Sequence, residues 1–297
     1  MKIGYFADGL WGHNAFDLMT KNKDLKILFV CARFDNSDQR LKELSTQEGI
    51  DFITEKNINS PKFIEKLKRY NCDIFISMSF NQIFKKETYT IPTIGTINCH
   101  AGKLPFYRGR NILNWVLIND EKEFGITVHF VNEGIDTGDI LLQKTFPIND
   151  NDSYKTLLEK AYIECPKLLL NAINLIKENN FLTRKQSAIS KSFMYCSKRI
   201  EGDEIINWNS NSREIFNFIR ALTLPGPCAI TYIGNKKIKL LNSIEISNAP
   251  VYKGIPGGIL EFGDGYFLVK TKDTYIKIID WESEVRLSRG LRFQEKR

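Results

Sequence analysis

The chain has 297 residues, 42% of them hydrophobic and 26% charged, and carries a net charge of +7. That length suits one large or two medium domains with an ordinary core. The mild basic excess is spread along the chain, and no Lys/Arg run is long enough to serve as a nucleic-acid arm, so it fits a solvated surface or an anionic small substrate.

Six cysteines, at positions 31, 72, 99, 165, 196 and 228, show no CxxC or Cys/His ligand spacing. They read as reduced core residues of a cytoplasmic protein with no metal site. No signal-like segment precedes the first strand-like run, and no apolar run nears the ~18 residues of a membrane span, so neither secretion nor membrane insertion is expected.

In chain order, KIGYFA (2–7) reads as a buried strand, DGLWGHN as a loop, and a short helix starts near Ala15. LKILFVC (25–31) is a second strand, residues 38–48 a helix, and IDFI (50–53) a short strand. Ser60-Pro61 opens a helix, since Ser caps and Pro is tolerated at the first position. CDIFISMS (72–79) and IGTINCH (94–100) are further buried strands. Strands alternating with helices predict an α/β domain with a mostly parallel, Rossmann-like sheet, whose ligands sit off the carboxyl ends of the strands. ITVHFV (126–131) alternates as a strand, and residues 153–178 form a long amphipathic helix, capped by Ser153 and kinked at Pro166. TRKQSAISKSFMYCSKR reads as a linker, REIFNFIRALTLPGP (213–227) as a helix, and five short strand-like runs separated by turn residues follow. They predict a smaller β-rich, barrel-like domain. The division falls near residue 190, giving domains 1–190 and 191–297.

Residues 97–140 concentrate the chemistry. Asn98 and His100 share a parity at the end of an apolar run, and Asp136 lies in the Gly-flanked turn EGIDTG. An imidazole can take a proton, a carboxylate can hold it and favour its charged form, and an amide N–H can stabilise an oxyanion. The three suit acyl transfer to an amine without a covalent intermediate, since no nucleophile-elbow Ser or Cys is present.

The set Asn98-x-His100, Leu104-Pro105-x-Tyr107-Arg108-Gly109, Gly125-Ile-Thr-Val-His129 and Asp136-Thr-Gly-Asp-Ile resembles the formyltransferases that use N10-formyltetrahydrofolate. The resemblance covers most of residues 1–180. The later KRIEGDEIINW and IRALTLPGP resemble the start of the C-terminal region in longer members. It implies that Asn98, His100 and Asp136 are catalytic, with His100 oriented by Asp136. It also implies that N10-formyltetrahydrofolate is the co-substrate. Two loops would hold the pterin, giving Phe80, Gln82, Ile83, Phe84, Leu104, Asn132, Gly134 and Ile135 as cofactor-binding candidates.

The motif reads His100-Ala-Gly-Lys-Leu-Pro, where the ribonucleotide and tRNA enzymes usually carry Ser-Leu or a close relative. With FADGLWG and FYRGRNILNW, this looks most like the nucleotide-sugar N-formyltransferases, which act on dTDP-linked amino-dideoxyhexoses bound for surface polysaccharide such as O-antigen. The expected partner is then a small nucleotide sugar, with no nucleic acid, in a cytoplasmic homodimer. Trp11, Asn14, Tyr107, Arg108, Tyr195, Lys198, Arg199, Trp208 and Arg220 are the substrate-binding candidates, Arg being suited to a diphosphate and the aromatics to a base. The competing expectations are a methionyl-tRNA formyltransferase, a formyltetrahydrofolate hydrolase, and a non-catalytic folate-fold binding protein.

Overall fold

A computed structural model describes residues 1–294. Its described residues form two compact units, one of residues 1–109, 124–146 and 159–196, the other of residues 110–123, 147–158 and 197–294.

The first unit is built on a seven-stranded sheet. Its elements are β1 (Lys2–Ala7), α1 (Gly9–Thr20), β2 (Lys26–Ala32), α2 (Gln39–Gln47), β3 (Asp51–Thr54), α3 (Pro61–Arg69), β4 (Ile74–Met78), α4 (Lys86–Tyr89), β5 (Gly95–His100) and the two-residue β6 (Arg108–Gly109). After α5 (Ile112–Ile118) of the second unit come β7 (Glu123–Phe130), β8 (Ile140–Pro147) and the long α6 (Tyr154–Lys177), and then β9 (Tyr195–Cys196). The sheet order is β3-β2-β1-β4-β5-β7-β8. Strands β1 to β5 pair in parallel, and β5 meets β7 antiparallel with Asn98 opposite His129. The predicted α/β class with a mostly parallel sheet is what forms.

Burial on both faces explains the apolar strand runs: residues 3–7 of β1 and all of β4 are buried. Phe6 is the hub of one face. Its ring meets Phe29, Phe75, Phe80 and Phe84 edge-on at 4.8 to 5.5 Å, a geometry that aligns ring edges with π faces. This packing fixes the start of the loop after β4, on the sheet's carboxyl edge.

Helix α1 begins at Gly9, six residues before the predicted start. The reason is remote in sequence. The Gly9 N–H donates to Asp38 Oδ2 at 2.7 Å, and the same carboxylate caps α2 through Leu41 N and meets His13 Nε2. A helix whose first N–H is satisfied 29 residues away carries no local cap signal. Ser60 does cap α3, accepting from Phe63 N. Helix α6 runs unbroken through Pro166. The stretch read as a linker is ordered: a 3₁₀ turn at Gln186–Ala188 is followed by β9, which pairs in parallel with β6.

The second unit contains α5, α7 (Ser212–Ala221) and the strands β10 (Ala229–Ile233), β11 (Lys236–Glu245), β12 (Ile259–Gly263), β13 (Tyr266–Lys270) and β14 (Tyr275–Ser283). The strands form an antiparallel sheet of order β10-β11-β14-β13-β12. Residues 291–294 bridge its edges, bonding Ile259 at one end and Tyr232 at the other, which closes it into a barrel-like shape. Its core gathers Trp208, Phe216, Leu240, Phe267 and Phe293. Outside the sheet, Arg213 joins Asp120, Asp150 and Glu245, at 2.5, 2.7 and 2.8 Å. Hydrogen bonds from Arg213 hold the carboxyl groups of Asp120 and Asp150 below the usual carboxylate range.

Carboxylates with lowered pKa stabilise the fold above the ordinary carboxylate range, and that stabilisation is lost as pH falls through their folded pKa. Arg213→Met is therefore expected to lower the melting temperature at pH 7 by roughly 2–4 °C. Circular dichroism melts repeated toward pH 3 should show the gap between variant and parent narrowing.

Candidate active site

The parallel register carries β1, β4 and β5 to one carboxyl edge, where Asn98 and His100 end β5. Antiparallel β7 brings His129 alongside Asn98, with Asn98 Nδ2 and His129 Nε2 3.3 Å apart. The turn after β7 then returns Asp136 between the two imidazoles. Its Oδ1 lies 3.4 Å from His129 Nε2 and its Oδ2 3.7 Å from His100 Nδ1. The Gly109 N–H donates to Oδ2 at 2.9 Å. The three candidate catalytic residues thus converge, and a fourth group, His129, joins them.

The hydrogen bonds assign the tautomers. His100 Nε2 lies 2.7 Å from the Tyr107 carbonyl, so it carries the proton, and Nδ1 of the neutral ring is a base. His129 Nδ1 donates to the Phe130 carbonyl at 2.8 Å, and its Nε2 faces both Asn98 Nδ2 and Asp136 Oδ1, accepting from the amide when the ring is neutral and donating to the carboxylate when it is protonated. Asp136 does not orient His100 by hydrogen bonding, because 3.7 Å is too long. The Tyr107 carbonyl does that. Asp136 instead supplies charge to whichever ring is protonated.

Burial alone would raise the pKa of Asp136. The net shift is downward, because the charge of His100, the hydrogen bond and charge of His129 and the Gly109 N–H together outweigh burial. The carboxylate therefore stays ionised through the neutral range. Gly102 permits the His100 geometry. A Cβ there would stand 2.4 Å from His100 Nε2 and 2.5 Å from the Tyr107 carbonyl oxygen.

The remaining candidates divide. Ile83 and Ile135 are exposed hydrophobics, and Leu104 is buried beside Thr127, which its N–H approaches at 3.5 Å. Phe80 and Phe84 pack on Phe6, with Phe84 only 6% exposed, so Phe84 is core rather than a ligand contact. Gln82 is a brace, accepting from Ile58 N and donating to the Glu55 carbonyl. Asn132 accepts from Gly134 N and Thr137 Oγ1, which shapes the acidic turn. Asn132 also lines a cavity of about 440 Å³ with Phe130, Gly138, Asp139, Phe181 and Thr183. That cavity includes neither histidine nor Asp136.

Trp11 and Asn14 fall on α1 rather than a loop and face α6. Trp11 meets the Tyr162 ring at 4.9 Å, and Asn14 donates to the Tyr162 carbonyl. Tyr107 is buried and serves through its backbone oxygen. Arg108 binds Gln186 and lies over Phe193, and exposed Tyr195 covers Gly109. In the second unit, Arg199 lies over Trp115 and Phe218 and donates to the Asp203 carbonyl, and Lys198 is exposed. Two candidates need correction as nucleotide contacts. Trp208 is 3% exposed, stacks on Phe293 and donates to Thr231. Arg220 is 6% exposed and donates to Asn217 and to the Asn149 and Asp152 carbonyls. Both are committed to packing within their own unit.

In the sequence His129 shows only as the end of the Gly125–His129 motif. Only the antiparallel pairing of β5 with β7 sets it opposite Asn98. Among the described residues, no cluster of His, Cys, Asp and Glu could hold a metal ion, and no helix is long and apolar enough to cross a membrane.

Residues 2–173 match the sequence family described as formyl transferase, and residues 200–286 match its C-terminal domain. The chain belongs to the formyl transferase family. Among curated relatives, this formyltransferase is 32% identical over 264 residues to the methionyl-tRNA formyltransferase of Thermodesulfovibrio yellowstonii, covering 86% of this chain and 82% of the relative. It is 33% identical over 282 residues to the bifunctional polymyxin resistance protein ArnA of Wigglesworthia glossinidia brevipalpis, covering 93% of this chain but 42% of that protein. Among solved structures, it is similar to WlaRD, a sugar 3N-formyl transferase crystallised with dTDP and 5-N-formyl-THF. That match has TM-score 0.71 and 25% identity, over 97% of this chain and 99% of the other. The N-formyltransferase of Helicobacter canadensis, in complex with folinic acid and dTDP-3-aminofucose, superposes at 0.69 with 25% identity, over 95% and 99%. The methionyl-tRNA formyltransferase of Clostridium thermocellum superposes at 0.58 with 18% identity, over 83% and 94%.

Gly102→Ala should open the His100–Tyr107 hydrogen bond and reduce formyl transfer by at least ~10-fold in kcat, the usual scale for a displaced acid–base group. A steady-state assay alongside a thermal melt checks this. Wild-type turnover in the folded variant would show that the contact does not set the imidazole.

Proposed function

We propose that this formyltransferase moves the formyl group of N10-formyltetrahydrofolate to the amino group of a dTDP-linked amino-dideoxyhexose, in the synthesis of surface polysaccharide. The observation that carries the acceptor is the two-ended superposition on a sugar 3N-formyl transferase crystallised with dTDP, which spans both units of this chain. In this reading residues 1–190 carry the folate and amine chemistry, residues 191–297 form the smaller domain, and the enzyme works as a cytoplasmic homodimer.

The neutral amine attacks the formyl carbon, a C–N bond forms, and the carbonyl becomes an oxyanion. An Asn98 amide N–H stabilises that oxyanion. His100 Nδ1, held as the base by the Tyr107 carbonyl, takes a proton from the developing ammonium. Asp136 stabilises the imidazolium across 3.7 Å without sharing the proton. When the intermediate collapses, the bond from carbon to N10 breaks and N10 takes a proton, releasing formamide product and tetrahydrofolate. His129, bonded to Asn98 and near Asp136, steadies both partners.

A second reading, transfer to charged initiator tRNA, is favoured by the methionyl-tRNA formyltransferases among the curated relatives. The mild, dispersed charge speaks against it, since binding to a nucleic-acid backbone gathers cations and falls steeply with salt.

The test is a panel assay of folate release with dTDP-3-amino and dTDP-4-amino sugars, a UDP-4-amino pentose, glycinamide ribonucleotide and charged initiator tRNA. Turnover is expected with a dTDP-amino sugar. Activity on the tRNA alone would overturn the acceptor, and none on any amine would favour a binding role. Asn98→Ala, His100→Ala and Asp136→Ala should each cut kcat by ~10²-fold or more while keeping the fold, which circular dichroism verifies. Unchanged turnover in His100→Ala would sink the mechanism.

A further inference from the structure

The polar stretch after α6 carries one side chain whose environment a linker would not produce. Gln186 is 3% exposed, and all four hydrogen-bonding positions of its amide are used. Its Nε2 donates to the backbone carbonyls of Asp136 and Gly138, both at 2.8 Å. Its Oε1 accepts from Arg108 Nε at 3.0 Å and Nη2 at 2.7 Å. A flipped amide would set N–H against guanidinium and oxygen against carbonyl, so the orientation is unique.

Each of these partners leads back to Asp136. Arg108 N donates to the Met194 carbonyl, and its guanidinium lies over Phe193 at 4.8 Å. The next residue, Gly109, gives its N–H to the Asp136 carboxylate. The contacts close a circuit: Gln186 to Arg108, Arg108 to Gly109 along the chain, Gly109 to the Asp136 carboxylate, and the Asp136 carbonyl back to Gln186. Two paired backbone bonds between Ile140 and Arg184 anchor Gln186 beside the turn. Asp136 itself has φ +53°, a left-handed conformation that Asp visits at some conformational cost and that surrounding contacts must enforce. At Gly138 a Cβ would come within 1.7 Å of the Phe130 carbonyl oxygen, so the turn is pressed onto β7 on its other side.

We propose that Gln186 is the positioning residue of the active site, clamping the Asp136 turn to the Arg108–Gly109 strand so that the carboxylate faces both imidazoles. Gln suits the task because one planar amide offers two donors to the turn and two lone pairs to a guanidinium. A neutral partner also leaves the Arg108 charge uncancelled beside the site. The inference rests on the reading of Asp136 as the site's carboxylate and not on the identity of the acceptor.

The test uses the full chain carrying Gln186→Met, which removes both arms, and Gln186→Glu, which keeps the length and the acceptor for Arg108 but removes both donors. The first readout is the titration of the Asp136 side-chain carboxyl by ¹³C NMR, assigned with Asp136→Asn. Loss of the clamp should move its midpoint upward by ~1 unit or more in Gln186→Met, as the Gly109 N–H and the imidazoles move away, and further in Gln186→Glu, where the added negative charge acts in the same direction. A purely structural side chain would lower the melting temperature and leave that midpoint in place. The second readout is formyl transfer, where kcat should fall by ~10- to 100-fold, the usual scale for lost orienting partners, with the KM for the folate donor within ~3-fold. A midpoint unmoved in both folded variants overturns the inference. If the wild-type enzyme formylates none of the amines in the panel, the proposed function fails, and the titration still decides the role of Gln186.

Discussion

A carboxylate buried at the end of a sheet needs compensating charge and hydrogen bonds, because removing an ion from water without a partner is far costlier than any single contact repays. Asp136 meets that requirement with His100, His129 and the Gly109 N–H, and its pKa ends low despite burial. The rest of the first unit can be read as the means of delivering those groups. Parallel β4 and β5 place Asn98 and His100 at a carboxyl edge, antiparallel β7 adds His129, and the turn before β8 swings the carboxylate back over them.

The site also shows a division of labour between backbone and side chain. A backbone carbonyl, from Tyr107, sets the His100 tautomer, and another, from Phe130, sets that of His129. Backbone groups are stiffer than long side chains, so each imidazole is held without spending the carboxylate on alignment. Asp136 is then left free to stabilise positive charge when a ring gains a proton. Gly102 and Gly138 serve the same end by allowing backbone and ring to approach more closely than any Cβ would permit.

Both kinds of relative match this chain well beyond the motifs. Identity of 32% to a methionyl-tRNA formyltransferase runs over 264 residues, 86% of this chain. Superposition on a sugar 3N-formyl transferase runs over 97% of this chain, and so takes in the second unit as well as the first.

The sequence by itself determined the α/β class, the parallel strands through β5 and the β-rich C-terminal third, and it singled out Asn98, His100 and Asp136 as candidates. These follow from local signals: apolar runs, turn residues and a motif whose members lie within 39 positions. Tertiary structure alone decided the parts that depend on distant partners. Helix α1 starts at Gly9 because Asp38 satisfies its first N–H, which moves Trp11 and Asn14 onto a helix facing α6. Trp208 and Arg220 have the chemistry of nucleotide contacts but are consumed by packing and by backbone carbonyls of their own unit. His129 gained its place from an antiparallel pairing that no periodicity announces. Gln186, in a stretch as polar as any linker, is buried because its four hydrogen bonds reach three residues that lie 48 to 78 positions away in the chain. Hydrogen bonds over such separations leave no local pattern, and they are what turns a recognisable set of residues into an oriented site.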